Sequence, residues 1–275
     1  GSGQRGDGAI TGSSGDRRTA LATCMSTSLR DPAAGIECYD EILADAPEHL
    51  EALTYQGWAM IRDDRVREGA SNFERVVDLD PDYPDVRVFR AVVASRAEQW
   101  EVAAAEIDRF FRNDPPPSAV QVLRSQGLER EVFINLLDDD TRGCWLEAAR
   151  VGEAGGDATD EGDGGDGGSA ARFLDALGTC LDGVLERRPD GVDALVSRAY
   201  VLLATGSGEL AEGAALVDRA LAADPDDPEA LLLHASVALA DDRSDEARAH
   251  LARLEDLPRP TISFLIGGPE DLRGL

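Results

Sequence analysis

Four cysteines (Cys24, Cys38, Cys144, Cys180) and three histidines (His49, His234, His250) are the side chains with the widest chemical reach in this sequence. Thiols offer disulfides, nucleophiles or metal ligands, and imidazoles offer proton transfer or metal binding. No histidine stands at metal-ligand spacing from a cysteine or from another histidine, so no metal is expected. His49 lies beside a proline turn, His234 sits among leucines in one predicted helix, and His250 falls in another. The serine-hydrolase, zinc-protease and phosphate-loop patterns are all absent. Every basic residue is Arg and no Lys occurs, which removes Schiff-base chemistry and lysine anion clamps. Carboxylates abound, but they follow helix surfaces and read as a solvated acidic face rather than a paired-acid active site. No catalytic residue and no cofactor are expected.

The elements that position these residues come from composition and period. In 275 residues, Asp+Glu 54 outweigh Lys+Arg 27, for a net charge of −27 and a pI near 4.3. Such a surface repels phosphate backbones and anionic lipids, so neither nucleic acid nor polybasic membrane docking is expected. The 43% hydrophobic content is enough for a buried core, and no apolar run is long enough to span a bilayer. Residues 1–15 are Gly/Ser-rich and read as a flexible leader. The chain starts Gly1-Ser2-Gly3 without Met, as expected of a processed or trimmed chain, which leaves room for a removed signal or anchor segment.

Pro47, Pro81 and Pro115 recur every 34 residues. Twelve residues before each stands a small residue (Gly35, Gly69, Ala103), and eight before each a larger one (Tyr39, Phe73, Ile107). Gly57 and Ala91 follow Pro47 and Pro81 by ten. This pattern predicts helical hairpins: helix A, a turn, helix B, then a proline that cannot continue helix B. Small residues allow the two helices to cross closely, and the larger residue one turn on fills the gap between hairpins. Windows 17–29, 50–63 and 67–79 read as helices, and a single hairpin cannot bury its apolar face, so the hairpins must stack.

Gly57, Gly69, Phe73 and Pro81 resemble the tetratricopeptide repeat at all four of its signature places. Gly35, Tyr39 and Pro47 match the second half of a preceding unit, and Ala91, Ala103, Ile107 and Pro115 match a third more loosely. A second series follows: Leu181 and Pro189, Ala199, then Gly213, Val217 and Pro225, then Ala247 and Leu251 with Pro258 and Pro260 straddling the expected end. The longer interval from Pro189 to Pro225 is read as an extended turn at Thr205-Gly206-Ser207-Gly208.

The expected fold is therefore an all-α solenoid of such hairpins in two arrays, 16–140 and 141–260, with a C-terminal tail, 261–275, whose TISFLIGG packs on the last hairpin. Helices at 117–126 and 128–138 are expected to cap the third hairpin. Residues 152–169, with eight Gly and six acids, lack a calcium-loop frame and read as a disordered loop.

Aligning Pro189 on Pro47 superimposes Cys180 on Cys38, each in helix B of the first hairpin of its array. Cys24 and Cys144 occupy the preceding helices. Antiparallel geometry puts residues 24 and 38 at similar heights, and Cys144 and Cys180 correspond to them if 152–169 is an insertion in the turn, so two readings stand: disulfides Cys24–Cys38 and Cys144–Cys180 in an oxidising compartment, or four small buried thiols in a cytoplasmic protein.

The resemblance implies a concave wall built from helix A. By register, that wall is Thr54, Trp58, Val88, Val92, Val196, Tyr200, Leu232 and Ser236. It implies a non-catalytic protein- or peptide-binding scaffold, with Trp58 and Tyr200 as equivalent aromatic anchors. Acidic rims about an apolar floor suit a basic, apolar client. The leader followed by a short array ending Asn113-Asp114-Pro115-Pro116-Pro117 resembles the extracytoplasmic repeat domain of bacterial cytochrome c maturation factors, which hold the apocytochrome chain. A structural subunit buried permanently in a complex is the alternative.

Overall fold

The computed structural model describes residues 14–154, 167–205 and 210–269. The expected leader up to residue 13, the centre of the Gly/Asp stretch, the turn at 206–208 and the end of the tail lie outside the described residues. Ser14 and Gly15, assigned above to the leader, begin the first helix, and both ends of 152–169 are helical.

Among the described residues all regular structure is helical. The helices are α1 (Ser14–Arg30), α2 (Pro32–Asp45), α3 (Leu50–Arg62), α4 (Val66–Leu79), α5 (Pro84–Arg96), α6 (Trp100–Arg112), α7 (Pro117–Ser125) and α8 (Leu128–Leu136). There follow α9 (Asp139–Ala154), α10 (Gly167–Arg187), α11 (Val192–Thr205), α12 (Leu210–Ala223), α13 (Pro228–Ala240), α14 (Ser244–Arg253) and the short α15 (Ser263–Ile266). The prolines punctuate as expected: Pro47, Pro81, Pro189 and Pro225 stand just past the ends of α2, α4, α10 and α12. Asp31 and Asp227 cap the starts of α2 and α13, accepting from Ala34 N (3.1 Å) and Ala230 N (2.7 Å). His49 does the same for α3 through Nδ1, 3.4 Å from Ala52 N. The turns after α3, α5 and α13 each place an acidic residue in the left-handed region: Asp64 (φ 60), Glu98 (φ 56) and Asp242 (φ 57).

Glycine sets the helix crossings. A Cβ on Gly69 would stand 2.4 Å from the Gly57 carbonyl oxygen, and one on Gly57 would stand 2.9 Å from that of Gly69. A Cβ on Gly35 would stand 2.3 Å from that of Ser28. Arginines in helix B then fasten each hairpin to the preceding proline turn: Arg75 donates to the Pro47 carbonyl (3.1 Å), Arg219 to that of Pro189 (2.5 Å), and Arg253 to that of Pro225.

The chain divides into two compact units, 1–97 with 109–125, and 98–108 with 126–275. In the first, α1/α2 and α3/α4 are hairpins around Leu21, Tyr39, Ile42, Leu53, Phe73 and Phe89. In the second, α9/α10, α11/α12 and α13/α14 share a continuous core through Trp145, Leu177, Leu195, Val217, Leu231 and Leu251. Of the two helices expected as a cap at 117–126 and 128–138, α7 belongs to the first unit and α8 to the second. The reason is packing, since Phe133 of α8 meets Trp145 edge-on at 5.1 Å, joining the aromatic core there.

The segment after α14 docks within the second unit. Ile262 is fully buried, and Phe264 lies 5.5 Å from Phe133. The Glu229 carboxylate accepts from Thr261 N and Oγ1 (both 2.7 Å) and from Ile262 N (2.9 Å). Burial pushes this carboxyl up to about 7 against the opposing pull of those donors.

Two tests follow from these contacts. Gly69→Ala should lower stability by about 1–3 kcal/mol, because the α3–α4 crossing has to open. Gly143→Ala, on an exposed helical site with nothing within 4 Å, should raise it by about 0.5–1 kcal/mol. Urea titration of both variants decides, and a shift of the same sign in each contradicts the crossing argument. For Glu229, the folded pKa lies above the ordinary 4.5, so the folded state holds the extra proton between these values. Stability should therefore fall as pH rises from 4.5 to about 7, by about 3 kcal/mol. Glu229→Gln should flatten that slope in urea midpoints measured from pH 5 to 7.5.

Candidate functional site

Helix A of each hairpin is enclosed on several sides, and that decides which of the register-predicted groove residues remain accessible. Helix α3 packs on α1, α2, α4 and α5, and α11 packs on α9, α10, α12 and α13. Thr54 (0% exposed), Val88 (1%), Val92 (7%), Val196 (3%) and Leu232 (0%) are sealed in the core. They line no wall, which corrects the expectation for those five. Helices with neighbours on so many sides keep only a narrow strip open, and these five residues fall outside it. Trp58, Tyr200 and Ser236 stay half-buried. The Ser236 hydroxyl donates to the Leu232 carbonyl (3.0 Å) within its own helix.

The aromatic pair is held by rings behind it. Trp58 stacks on Phe89 at 4.9 Å and 17°, and the Arg96 guanidinium lies 5.3 Å from its ring centre. Tyr55, a turn earlier on the same strip, meets Phe89 edge-on at 5.4 Å, and its hydroxyl donates to Asp85 Oδ2 (2.9 Å). Burial raises the Asp85 carboxyl despite that bond, and raises the Tyr55 phenol as well. In the second unit Tyr200 stacks on Trp145 at 5.9 Å and 26°, while Trp145 Nε1 donates to Ser197 Oγ (3.0 Å). Tyr55, Arg96 and Trp145 were not among the groove residues read from sequence. Tyr55 lies three residues before Trp58, the helical spacing that would have brought it onto the same strip.

The cysteines are joined, Cys24 to Cys38 and Cys144 to Cys180, with Cα separations of 5.4 and 5.5 Å. Each bond ties helix A to helix B within a first hairpin.

A polar rung repeats between hairpins. Gln56 on α3 donates to Asp40 on α2 (2.6 Å), and Asn72 on α4 donates to Gln56 Oε1 (2.8 Å). Arg198 on α11 reaches Asp182 on α10 (2.7 Å) by the same 16-residue step. His234 on α13 meets Asp218 on α12 by that step too, Nε2 to Oδ1 at 3.0 Å. One step further stands His250 on α14, its ring centre 4.3 Å from that of His234. Linear spacing had kept these histidines apart, but antiparallel packing of α13 and α14 brings them face to face. Glu246 Oε1 lies 3.7 Å from His234 Nδ1, and one ligand atom from each of His234, Glu246 and His250 falls within 4.8 Å of the others.

Residues 28–84, in the first unit, and 206–259, in the second, match the family model of the tetratricopeptide repeat. No curated protein matches the chain. Among solved structures, the chain is similar to the P58(IPK) TPR domain at 14% identity and TM-score 0.36, over 87% of this chain and 60% of that one. It thus spans less than two thirds of that relative. It is also similar to the TPR2AB domain of yeast Sti1, solved in a pHSP90 complex, at 12% identity and TM-score 0.36 over 95% and 96% of the two chains. The type IV pilus biogenesis factor PilW shows 12% identity and TM-score 0.36 over 89% and 94%.

The disulfides make a direct prediction. Unfolded without reductant, the chain should show no reactive thiol, and after reduction it should show four. Closing loops of 14 and 36 residues should contribute about 3 and about 4 kcal/mol respectively, lost on reduction and readable as a drop in urea midpoint. Four thiols before reduction would refute the pairing.

Proposed function

We propose that these repeats form a non-catalytic scaffold that binds an extended, basic and apolar protein segment, of which an apocytochrome c chain is one candidate. The observation that carries this reading is the pair of half-open, ring-backed aromatics, Trp58 and Tyr200, one in each unit of a chain with net charge −27. Rigid aromatic side chains held from behind are favourable anchors because little freedom remains to be lost on binding. The acidic surroundings favour a cationic client and speed its approach. The recognition strip contains Tyr55 and Trp58 of α3 with Arg96 of α5, rather than the buried positions. Arg96 would pair with an acceptor on the client, a carbonyl or the occasional acid.

An extracytoplasmic location belongs to the same proposal. Two disulfides support an oxidising compartment, where such bonds persist. No helix among the described residues is long and apolar enough to cross a membrane.

The test uses defined peptides: a basic, apolar sequence, and a counterpart with the same apolar residues but acidic charges. Wild type should capture the first and not the second, with affinity falling as salt rises. Trp58→Ala with Tyr200→Ala should weaken capture about tenfold or more. Equal capture by variant and wild type removes the reading. Size exclusion with light scattering that finds a stable oligomer closing over both aromatics would favour the permanently buried subunit instead.

A further inference from the structure

The two units carry the same polar rung with different chemistry at its end. Asp40–Gln56–Asn72 in the first unit and Asp218–His234–His250 in the second occupy equivalent places, each step spanning 16 residues. In the first, amides close the chain: Gln56 donates to Asp40 and accepts from Asn72. In the second, imidazoles replace both amides and the chain does not close. His234 is 8% exposed, and a neutral ring whose Nε2–H donates to Asp218 leaves Nδ1 with a bare lone pair. Neither His234 Nδ1 nor His250 Nδ1 has a hydrogen-bond partner among the described residues, although both atoms are buried.

A lone pair aimed at a carboxylate is repulsive, and a buried ring nitrogen without a partner is costly. Something positive belongs between them. Glu246 is prepared for it: Arg243 takes Oε2 at 2.5 Å, which turns Oε1 towards His234 Nδ1 at 3.7 Å. Around tetrahedral zinc, ligand atoms at about 2.0–2.1 Å from the metal stand about 3.3–3.4 Å apart. The His234–Glu246 edge is close to that value, and the 4.8 Å limit of the cluster needs only a rotamer adjustment of the half-buried His250. Asp218 supplies the carboxylate that commonly orients a metal-binding histidine from its far nitrogen.

We propose that His234 Nδ1, Glu246 Oε1 and a ring nitrogen of His250 form a binding site for a zinc-type divalent cation, with a water completing the tetrahedron. Nitrogen donors favour zinc over magnesium and calcium, so selectivity separates this site from loose association with surface carboxylates. Binding here would tie α13 to α14.

The experiment is calorimetric titration of zinc chloride into the full chain, with disulfides intact so that no thiol competes, at physiological salt and with magnesium in excess. One equivalent should bind at micromolar affinity or tighter and raise Tm. Cobalt should bind with the intense visible absorption of a tetrahedral site. Glu246→Gln should weaken zinc at least tenfold. The double variant His234→Gln with His250→Asn rebuilds the amide chain of the first unit, so it should fold with comparable Tm while losing the tight equivalent and the cobalt spectrum. The proposal fails if wild type shows no tight equivalent, if magnesium competes it away, or if the double variant binds zinc as wild type does. In those cases the pair is a proton-bridged rung or the zinc sits on surface acids.

Discussion

Close approach of two helix backbones is the constraint on which the remaining architecture rests. Where Gly57 and Gly69 meet, each carbonyl occupies space that the other's Cβ would need, so α3 and α4 touch main chain to main chain. That contact fixes the height of one helix against the next and thereby which residues turn inward. Tyr39 and Phe73, one turn beyond Gly35 and Gly69, become fully buried wedges because the crossing leaves them no other direction. The proline carbonyls are then presented to arginines of the following hairpin, and a repeating stack results from one steric rule applied several times.

Much of this was legible from residue types at fixed intervals. Small residues, wedges and prolines are local signals, because each one restricts its own stretch of backbone, and the helix ends follow them closely. Which cysteines face each other was legible for the same reason, since register placed each pair at one height of an antiparallel hairpin, whereas their oxidation was not. What the spacing did not show depends on neighbours far along the chain. Thr54 and Val88 carry no mark distinguishing a wall from a core, and only the packing of flanking helices decides it. The separation of α7 from α8 follows from Phe133 finding Trp145, a preference no periodicity encodes. His234 and His250 meet because a polar rung repeats between hairpins, and that rung is visible only once helices are laid side by side.

Charge is handled in two ways by this chain. Most carboxylates stay in water, where their mutual repulsion is screened. A few are drawn inward at the starts of helix A: Asp85, Asp193, Asp227 and Glu229 are all raised by burial, and each accepts a hydrogen bond from a phenol or from backbone or side-chain donors. Inward acids serve as fasteners: Asp227 holds the first turn of α13, and Glu229 holds the chain that returns across it.

The Cys144–Cys180 bond encloses the stretch between α9 and α10 in a covalent ring. A backbone cut inside that ring releases nothing: both pieces remain one molecule, of unchanged mass but for a water, until a reductant reaches the sulfurs. The chain can therefore be severed between those helices without dividing the protein.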